Sequence, residues 1–285
     1  MLKKILPLTL AAAIFSTFGI FARYLSVYFD PFSALIFRFG WVVLILFAIL
    51  AYRKWIDIKK PPIRDAWIFL LNGLTGAVAG VLVFIAANEL TIGTTFFLFY
   101  ATSTIISYIL APILFKEQLS SIKFAALCIG LLGVVLIFDI SLESRQFIHI
   151  LAGIGAGAGF GIYSITIKLL GNRYSQNQIN FSHYSIALLL LLLSVPFVNL
   201  DFSITIISTL LTFANGVLFV VVGFLVIEGF KRIEAQKGSL LLLLDPVLGT
   251  IWGLLLFQEQ PTPQFIAGAV LILLAMALPN IKFHK

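Results

Sequence analysis

About ten runs of apolar residues, each close to 20 residues long, follow one another through this chain with little between them. A helix of about 20 residues crosses the roughly 30 Å hydrocarbon core of a bilayer. In that core every backbone N–H and C=O must be satisfied within the protein, so a spanning segment is a helix or part of a closed barrel. Membrane barrels alternate apolar and polar residues, whereas a run such as Ile186–Leu193 does not. The sequence therefore predicts an all-α membrane protein with ten transmembrane helices.

The composition agrees with this fold class. Hydrophobic residues make up 61% of the chain and charged residues 11%, whereas soluble domains are about half apolar and about a quarter charged. The apolar run after Lys3 and Lys4 is long enough to span, so we interpret it as an uncleaved first helix and not as a signal peptide. No connection is long enough for a soluble catalytic domain. The predicted spans are residues 5–27, 33–52, 66–88, 91–114, 121–139, 147–169, 178–198, 204–228, 234–257 and 262–280.

Basic residues are distributed unevenly between alternate connections, and such residues favour the cytoplasmic side of a membrane protein. Of the 19 basic residues, 16 lie at the chain ends and in every second connection, whereas Arg23 and Arg145 lie on the opposite side and Arg38 within a span. This bias predicts a multi-pass protein of the cell (cytoplasmic or inner) membrane with both termini cytoplasmic. The net charge of +7 is then explained by an anionic leaflet, without a nucleic-acid partner. The 16 are Lys3, Lys4, Arg53, Lys54, Lys59, Lys60, Arg64, Lys116, Lys123, Lys168, Arg173, Lys231, Arg232, Lys237, Lys282 and Lys285.

The two halves of the chain are similar in register. The motif Phe115-Lys116-Glu117-Gln118 recurs 142 residues later as Phe257-Gln258-Glu259-Gln260, and Arg38 and His183 match at a spacing of 145. A unit of five helices is odd, so its second copy must enter the membrane upside down. The sequence thus predicts two inverted five-helix repeats, residues 1–140 and 146–281, with a substrate site near the midplane between them.

Further motifs in the two halves resemble those of a known family. In the second half, Pro246 and Glu259 stand thirteen residues apart; in the first half Thr104 takes the place of the proline, and a proline comes later, at Pro112. On these motifs each half resembles an EamA-type repeat of the drug/metabolite transporter superfamily, although the first repeat departs from the proline pattern. The resembling segments are residues 90–95 and 115–133 in the first half, and 235–239, 245–247 and 257–268 in the second.

The resemblance implies a bundle of ten helices in two inverted halves that moves small metabolites by alternating access. Members of this superfamily include amino-acid exporters, drug exporters and carriers of sugars or nucleotide sugars.

Charged side chains within the predicted spans are the clearest candidates for function, because each costs a few kcal/mol at the centre of a bilayer. Arg38, with Trp41 nearby, is a candidate anchor for a substrate carboxylate; the alternative is an arginine that snorkels or forms a structural ion pair. His183 either carries protons or is a hydrogen-bonded structural residue. Asp245, next to the kink expected at Pro246, is a candidate for coupling to protons or cations, or else a structural partner of another side chain.

Several residues near helix ends leave two interpretations open. Glu89, which ends the third span, is a second candidate for proton coupling or gating, and Glu228 is a possible gate; a solvated helix end is the alternative for both. Glu117 and Glu259 are expected to cap the helix that follows each. Pro112 is expected to form a hinge, as Pro246 is.

Polar residues within the spans either line a wet cavity or form helix interfaces. Asn72, Tyr100, Thr104, Tyr163 and Asn215 are predicted on this basis to contact the substrate, together with Arg38, Trp41 and His183.

Other motifs restrict the chemistry. The glycines of residues 153–161 indicate close helix packing and not a phosphate loop. The chain has no Walker A motif, so ATP hydrolysis is not expected. The three histidines are scattered and Cys128 is the only cysteine, so no disulfide, metal or cofactor is expected.

The sequence favours a secondary-active or facilitative transporter, best assigned to the export of amino acids or related compounds. The expected partners are this small-molecule substrate and membrane lipids, with the chain a monomer or a homodimer. A drug or cation exporter and a flippase for lipid-linked intermediates are the alternatives; a membrane enzyme is disfavoured because no cluster of catalytic residues is present.

Overall fold

The computed structural model describes residues 2–90, 92–137, 146–258 and 262–280. Over these ranges the chain forms twelve α-helices, and its one β-type contact there is an antiparallel bridge between Phe29 and Phe202. The helices are α1 (Leu2–Phe15), α2 (Phe18–Leu25), α3 (Pro31–Tyr52), α4 (Ile63–Glu89), α5 (Ile92–Phe115), α6 (Ser121–Ile137), α7 (Phe147–Gly171), α8 (Gln176–Ser194), α9 (Ile206–Arg232), α10 (Ala235–Leu242), α11 (Leu244–Phe257) and α12 (Pro263–Ala277).

Eight helical spans among the described residues are long and apolar enough to cross a membrane. Two of them combine a pair of helices, α1 with α2 and α10 with α11. The helices α6 and α12 are also apolar but shorter, with 17 and 15 residues. The protein is therefore an all-helical multi-pass membrane protein. The two shorter helices lie where the fifth and tenth spans are predicted.

The first predicted helix, residues 5–27, is wrong as a continuous element because the helix breaks at Ser16 and Thr17. Both hydroxyls donate to carbonyls of the preceding turn, to Ala13 O at 2.7 Å and to Ile14 O at 2.7 Å. Such bonds compete with the helical hydrogen bonds of the backbone. The Ser16 hydroxyl also accepts from Trp252 Nε1 of α11 at 3.0 Å, which connects the break to the other half of the chain.

The ninth predicted helix, residues 234–257, is also interrupted, at Leu243. The proline expected to kink it is the cause, but the break falls three residues before Pro246. Proline has no N–H for the carbonyl four residues earlier, that of Leu242, and its ring clashes with this carbonyl. The chain ends α10 there and begins α11 at Leu244, which places Pro246 in the first turn, where proline is tolerated.

The recurring Phe-x-Glu-Gln motif ends a helix in both halves. Lys116 and Gln258 directly follow α5 and α11 and adopt left-handed conformations with φ of 57° and 56°. A left-handed residue after the last turn is a common way to stop a helix. The next helices, α6 and α12, begin after Ser120 and Thr262, whose hydroxyls accept from the backbone at 3.4 and 3.1 Å. Glu259 lies outside the described residues.

Two loop contacts join the halves at opposite ends of the helix pair α3 and α8. In the first, here called the Asp30 strap, Asp30 N donates to Asp201 O and Asp201 N donates to an Asp30 carboxylate oxygen, both at 2.8 Å. The same carboxylate caps α3 through the N–H of Phe32. In the second, the Ser175 strap, Ser175 caps α8 and its hydroxyl donates to Asp57 O at 2.9 Å.

Close helix crossings occur where glycine faces backbone. A Cβ on Gly157 of α7 would lie 2.4 Å from Phe99 O of α5. Gly133 of α6 and Gly268 of α12 meet in the same way, since a Cβ on either would lie 2.7 or 2.5 Å from the carbonyl oxygen of the other. Small residues permit such approaches between membrane helices. The core of the bundle forms where α7 packs against α4 and α5, and α9 against α1 and α3.

Candidate substrate site

Tyr100 of α5 and Asp245 of α11 are hydrogen-bonded to each other, with the hydroxyl donating to the carboxylate. Asp245 is partly exposed and stands in the first turn of α11, where the helix dipole favours a negative charge. Pro246 follows it in the same turn. Asp245, the predicted coupling residue, is therefore held at the contact of the two halves by Tyr100, which is one of the predicted substrate contacts.

Arg38 of α3 places its guanidinium over an aromatic face. The guanidinium carbon is 4.1 Å from the ring centroid of Phe219 on α9 and 5.4 Å from that of Phe39. Its Nε is buried without a hydrogen-bond partner, and no ion pair in the described part of the chain includes it. A cation–π contact contributes about 0.5–2 kcal/mol, which offsets part of the cost of a charge in a membrane. The guanidinium is thus packed on aromatic rings and has no ion pair among the described residues.

His183 of α8 is fixed by Asn72 of α4. Its Nδ1 is 2.9 Å from Asn72 O and 3.0 Å from Asn72 Oδ1. Because both Asn72 atoms can only accept a hydrogen bond, Nδ1 carries the hydrogen. The Asn72 amide donates to Thr166 of α7 at 2.8 Å, and the imidazole lies 4.6 Å from the ring of Tyr163. The imidazole fits against Gly76, where a Cβ would lie 2.3 Å from His183 Cε1. Three predicted site residues, Asn72, Tyr163 and His183, therefore form one tightly packed group.

Aromatic rings connect these three groups into a continuous series. From Arg38 the series passes through the rings of α9, α8, α7 and α5 and ends at Tyr100 and Asp245. The successive centroid distances are Phe219–Tyr184 6.5 Å, Tyr184–His183 4.7 Å, His183–Tyr163 4.6 Å, Tyr163–Phe160 5.7 Å, Phe160–Phe99 5.1 Å and Phe99–Tyr100 5.2 Å. A basic group therefore stands at one end of this series of aromatic rings and an acidic group at the other.

Trp41 and Asn215 lie beside this series, near an apolar groove. Trp41 Nε1 donates to Thr212 Oγ1 of α9 at 3.2 Å, and Asn215, one turn after Thr212, has a buried Oδ1 without a partner. The groove has a volume of about 460 Å³ and is formed by α3, α8 and α9. Its lining is Phe29, Ile36, Phe37, Gly40, Trp41, Leu44, Leu188, Leu192, Ile204, Thr209 and Thr212.

Three predicted residues stand apart from the aromatic series. Thr104, one turn after Tyr100, is buried and its hydroxyl has no partner. Pro112 lies inside the last turn of α5 without interrupting it. Glu89 ends α4 with an exposed side chain, and its backbone carbonyl accepts from Gln146 Nε2 at 2.8 Å.

Glu117 caps a different helix from the one predicted. Its carboxylate accepts from the N–H groups of Ala235 and Gln236 at the start of α10, at 2.8 and 3.3 Å. It also pairs with Lys168 of α7 at 3.0 Å. The expectation that Glu117 caps the following helix is therefore wrong, because the turn after α5 aims the carboxylate at the other half.

Nearby, Glu234 pairs with Lys123 at 3.0 Å and with Lys237 at 3.4 Å. Burial opposes the ionisation of Glu234, but the two lysines outweigh it and lower its pKa below the usual value. This end of the bundle is thus closed by charged contacts between the halves.

The sequence did not single out Phe219, Tyr184 or Phe160 as site residues. Aromatic residues are frequent in this chain, with 28 phenylalanines, so composition gives no means of choosing among them. A usable signal was present in the repeat: Tyr184 follows Phe39, and Phe160 follows Phe15, by the same 145 residues that separate Arg38 from His183. No group of three or more His, Cys, Asp or Glu side chains in the described ranges is placed to hold a metal ion.

A bundle of membrane-crossing helices with ionisable side chains in its interior is expected of a membrane transporter. The chain belongs to the EamA-like transporter family, whose family model matches residues 2–139 and 147–281. It is 26% identical over 271 residues to an uncharacterized transporter of Clostridium kluyveri, covering 90% of this chain and 85% of that one. It is 27% identical to the uncharacterized transporter YoaV of Bacillus subtilis, covering 82% of this chain and 81% of YoaV.

A solved crystal structure shares the fold. It superposes with a TM-score of 0.83 at 18% identity, covering 97% of this chain and 96% of that one. The family match and the two relatives confirm the membership and the general transport role predicted from the sequence, and the solved structure confirms the fold.

Proposed function

We propose that this protein is a secondary-active or facilitative transporter that exports a small metabolite, with amino acids or related compounds as the best assignment, by alternating access across the cell membrane. The observation that carries the proposal is the series of aromatic rings between Arg38 and Asp245, which has a basic group without an ion pair among the described residues at one end and an acidic group of the other half at the other end. Arg38 binds a substrate carboxylate, the rings hold its apolar part, and Asp245 exchanges the proton that drives transport.

Two inverted repeats are part of this proposal, and contacts between equivalent residues support them. Phe15 and Phe160 lie 6.2 Å apart, and Phe39 and Tyr184 lie 5.3 Å apart. The two residues of each pair are 145 positions apart in the sequence. In a two-fold arrangement, a residue meets its own equivalent where both lie next to the axis, so these pairs mark an axis through the candidate site.

The two straps support the same arrangement. Asp30 and Ser175 are 145 residues apart, each is the N-cap of its helix, and each contacts a loop of the other half. Exchange of the two halves converts one strap into the other. Because the straps lie at opposite ends of α3 and α8, the exchange also turns the unit upside down, as an inverted repeat requires.

The proposal retains ten crossings and cytoplasmic termini. The apolar helices α6 and α12 supply the fifth and tenth crossings, and their close contact through Gly133 and Gly268 compensates for their short length. The distribution of lysine and arginine supports the orientation.

Transport by the purified protein in liposomes tests the proposal directly. Vesicles loaded with one unlabelled solute are given the labelled solute outside, and counterflow is measured for amino acids, sugars and cationic drugs in turn. Counterflow of a carboxylate-bearing solute without ATP, lost in Arg38→Ala, is expected. Counterflow of cationic drugs alone would instead support a drug exporter.

The apolar groove beside Trp41 favours one further candidate, a flippase for lipid-linked intermediates. Its lining is apolar and it lies next to the helix that carries Arg38, as a path for an acyl chain with its anionic headgroup would require. Scrambling of a fluorescent anionic lipid by the reconstituted protein, without solute counterflow, would decide for the flippase.

A further inference from the structure

Three side chains at the interface of α5 and α10 contain buried polar atoms without hydrogen-bond partners among the described residues. They are Thr104 Oγ1 and the Tyr108 hydroxyl on α5, and both amide atoms of Gln236 on α10. The residues are 1%, 3% and 0% exposed. A buried polar group without a partner costs about 1–3 kcal/mol, and in native proteins such groups are usually satisfied by internal water.

The α5 groups form a line. Tyr100, Thr104 and Tyr108 are spaced four residues apart, which places them on one face of the helix. Helix α5 packs against α10, and both tyrosines belong to the apolar cluster that contains Leu240 and Leu243. The face that carries the three hydroxyls is therefore turned toward α10.

Each end of the line meets a charged group. At one end the Tyr100 hydroxyl donates to the Asp245 carboxylate. At the other end, the backbone N–H of Gln236 donates to the Glu117 carboxylate at 3.3 Å, and Glu234 directly precedes α10.

The same two carboxylates line a pocket of about 450 Å³, here called the Glu117 pocket. It is formed by Phe115, Lys116, Glu117, Gln118, Ser120, Lys123 and Glu234. The charged groups that face the entrance to the line are Glu117 paired with Lys168, and Glu234 paired with Lys123 and Lys237.

We propose that water molecules bridge these polar atoms and form a proton path along α5 from the Glu117 pocket to Asp245. Residues at this spacing lie one above the other on a helix face, and waters linked by hydrogen bonds of about 2.8 Å connect such polar groups where they do not touch directly. Gln236 holds the water next to Tyr108. When a proton enters from the pocket, each hydroxyl and water accepts one proton and passes one on, and the Asp245 carboxylate gains one.

The path rests on the proposed function in one respect, the role of Asp245 as the group that takes up the proton. The hydration of the interface does not depend on that role, so the two are tested separately. The test of hydration uses hydroxyl radicals generated by X-rays in the intact, detergent-solubilised protein, because buried side chains are oxidised only where water lies beside them.

Oxidation of Tyr108 is compared by mass spectrometry with that of Phe230, which is fully buried, after correction for their intrinsic reactivities. We expect Tyr108 to be oxidised and Phe230 to remain unmodified. Gln236→Leu should remove most of the Tyr108 oxidation. The matched variant Ser239→Ala should not, since the Ser239 hydroxyl, also on α10, already donates to Gln236 O at 2.9 Å. Tyr108 oxidation no higher than that of Phe230 would overturn the path.

A second measurement tests whether the water conducts protons. Tyr108→Phe preserves the shape of the side chain and removes the hydroxyl at the pocket end of the line. We expect loss of transport driven by a pH gradient with counterflow unchanged. If Tyr108 is oxidised in the native protein and Tyr108→Phe still transports with the gradient at the normal rate, the proton path is wrong. If Asp245→Asn also leaves driven transport unchanged, the assignment of Asp245 in the proposed function is wrong as well.

Discussion

The Tyr100 hydroxyl of α5 donates to the Asp245 carboxylate of α11, and this hydrogen bond joins the two halves of the chain. The donor belongs to one half and the ionisable acceptor to the other. Asp245 stands in the first turn of α11, where the helix dipole favours a negative charge. The bond therefore places one ionisable group at the contact of the two halves.

We predict that Asp245→Asn abolishes transport driven by a pH gradient and preserves counterflow. The amide keeps the shape of the side chain and can still accept from Tyr100, but it cannot take up a proton. Tyr100→Phe is the comparison variant, because it removes the hydrogen bond and leaves the carboxylate in place; it should reduce the driven rate without abolishing it. Both rates are measured in the same liposomes, and driven transport by Asp245→Asn at the normal rate would remove Asp245 from the coupling.

We predict that Arg38→Lys fails to restore binding of carboxylate substrates that is lost in Arg38→Ala. The planar guanidinium rests on Phe219 and offers paired donors, whereas the lysine ammonium offers a point charge. Loss of a charge-assisted hydrogen bond of about 1.5–3 kcal/mol lowers affinity at least about tenfold. The measurement is the half-saturating concentration for counterflow with a carboxylate and with its amide. Equal affinities for the carboxylate in the native protein and in Arg38→Ala would make Arg38 structural.

We predict that Asp30→Ala destabilises the protein in a pH-dependent manner and that Ser175→Ala does so without pH dependence. Loss of an N-cap costs about 0.5–2 kcal/mol in either case. Burial opposes ionisation of Asp30, but hydrogen bonds from Ser33, Asp201 and Phe32 outweigh it and lower its pKa below 3.8. Its contribution is therefore complete above the unfolded pKa and disappears as the pH falls through the lower folded pKa.

The difference in melting temperature between Asp30→Ala and the native protein should shrink as the pH falls from 6 toward about 3. The corresponding difference for Ser175→Ala should stay constant over this interval, because a hydroxyl does not titrate there. A constant difference for both variants would show that the Asp30 carboxylate is not stabilised by the strap.

We predict that His183→Phe lowers stability but leaves the pH dependence of transport unchanged. The phenyl ring fits the space next to Gly76 but leaves both Asn72 acceptors without the Nδ1 donor, at a cost of about 1–3 kcal/mol. Stability is measured by thermal unfolding, and transport as the initial rate across a series of pH values. A displaced pH profile would assign a proton role to His183 instead.

We predict that Gly133→Ala separates α6 from α12 and destabilises the protein, because the new methyl group would lie 2.7 Å from Gly268 O. Overpacking of this kind costs about 1–3 kcal/mol. Gly19→Ala in α2 is the matched control, since a Cβ there meets nothing within 4 Å. Thermal unfolding compares the two; equal melting temperatures would mean that the crossing is loose.

The helices could be predicted because the length of each run of apolar residues determines where a helix can span the membrane. The third predicted span, residues 66–88, corresponds to Ile63–Glu89. The break in the first span was not predicted, because Ser16 and Thr17 are compatible with a continuous helix. The kink at Pro246 was predicted but its position was not, because proline acts on the carbonyl four residues before it and the interruption precedes the proline.

The candidate site was predictable in its charged members and less so in its surroundings. Arg38, His183 and Asp245 are conspicuous because ionisable residues are rare in membrane spans. The residues that they contact belong to helices that are distant in the sequence, and only the repeat relates these positions to one another. Arg38 and His183 were matched at 145 residues, and the same spacing also joins Phe39 to Tyr184, a pairing that is visible in the sequence once this register is applied to the neighbouring residues.

The two straps tie α3 to the loop before α9 at one surface and α8 to the loop before α4 at the other. On the proposed mechanism, α3 and α8 stay fixed because they are anchored at both surfaces. The segments that change access are the two spans whose helices are interrupted near their middle. These are α1 with α2 and α10 with α11, which Ser16 and Trp252 couple. On this mechanism, one helix of each pair moves while the other stays packed. One side of the protein therefore opens at a time, and α3 and α8 keep their contacts.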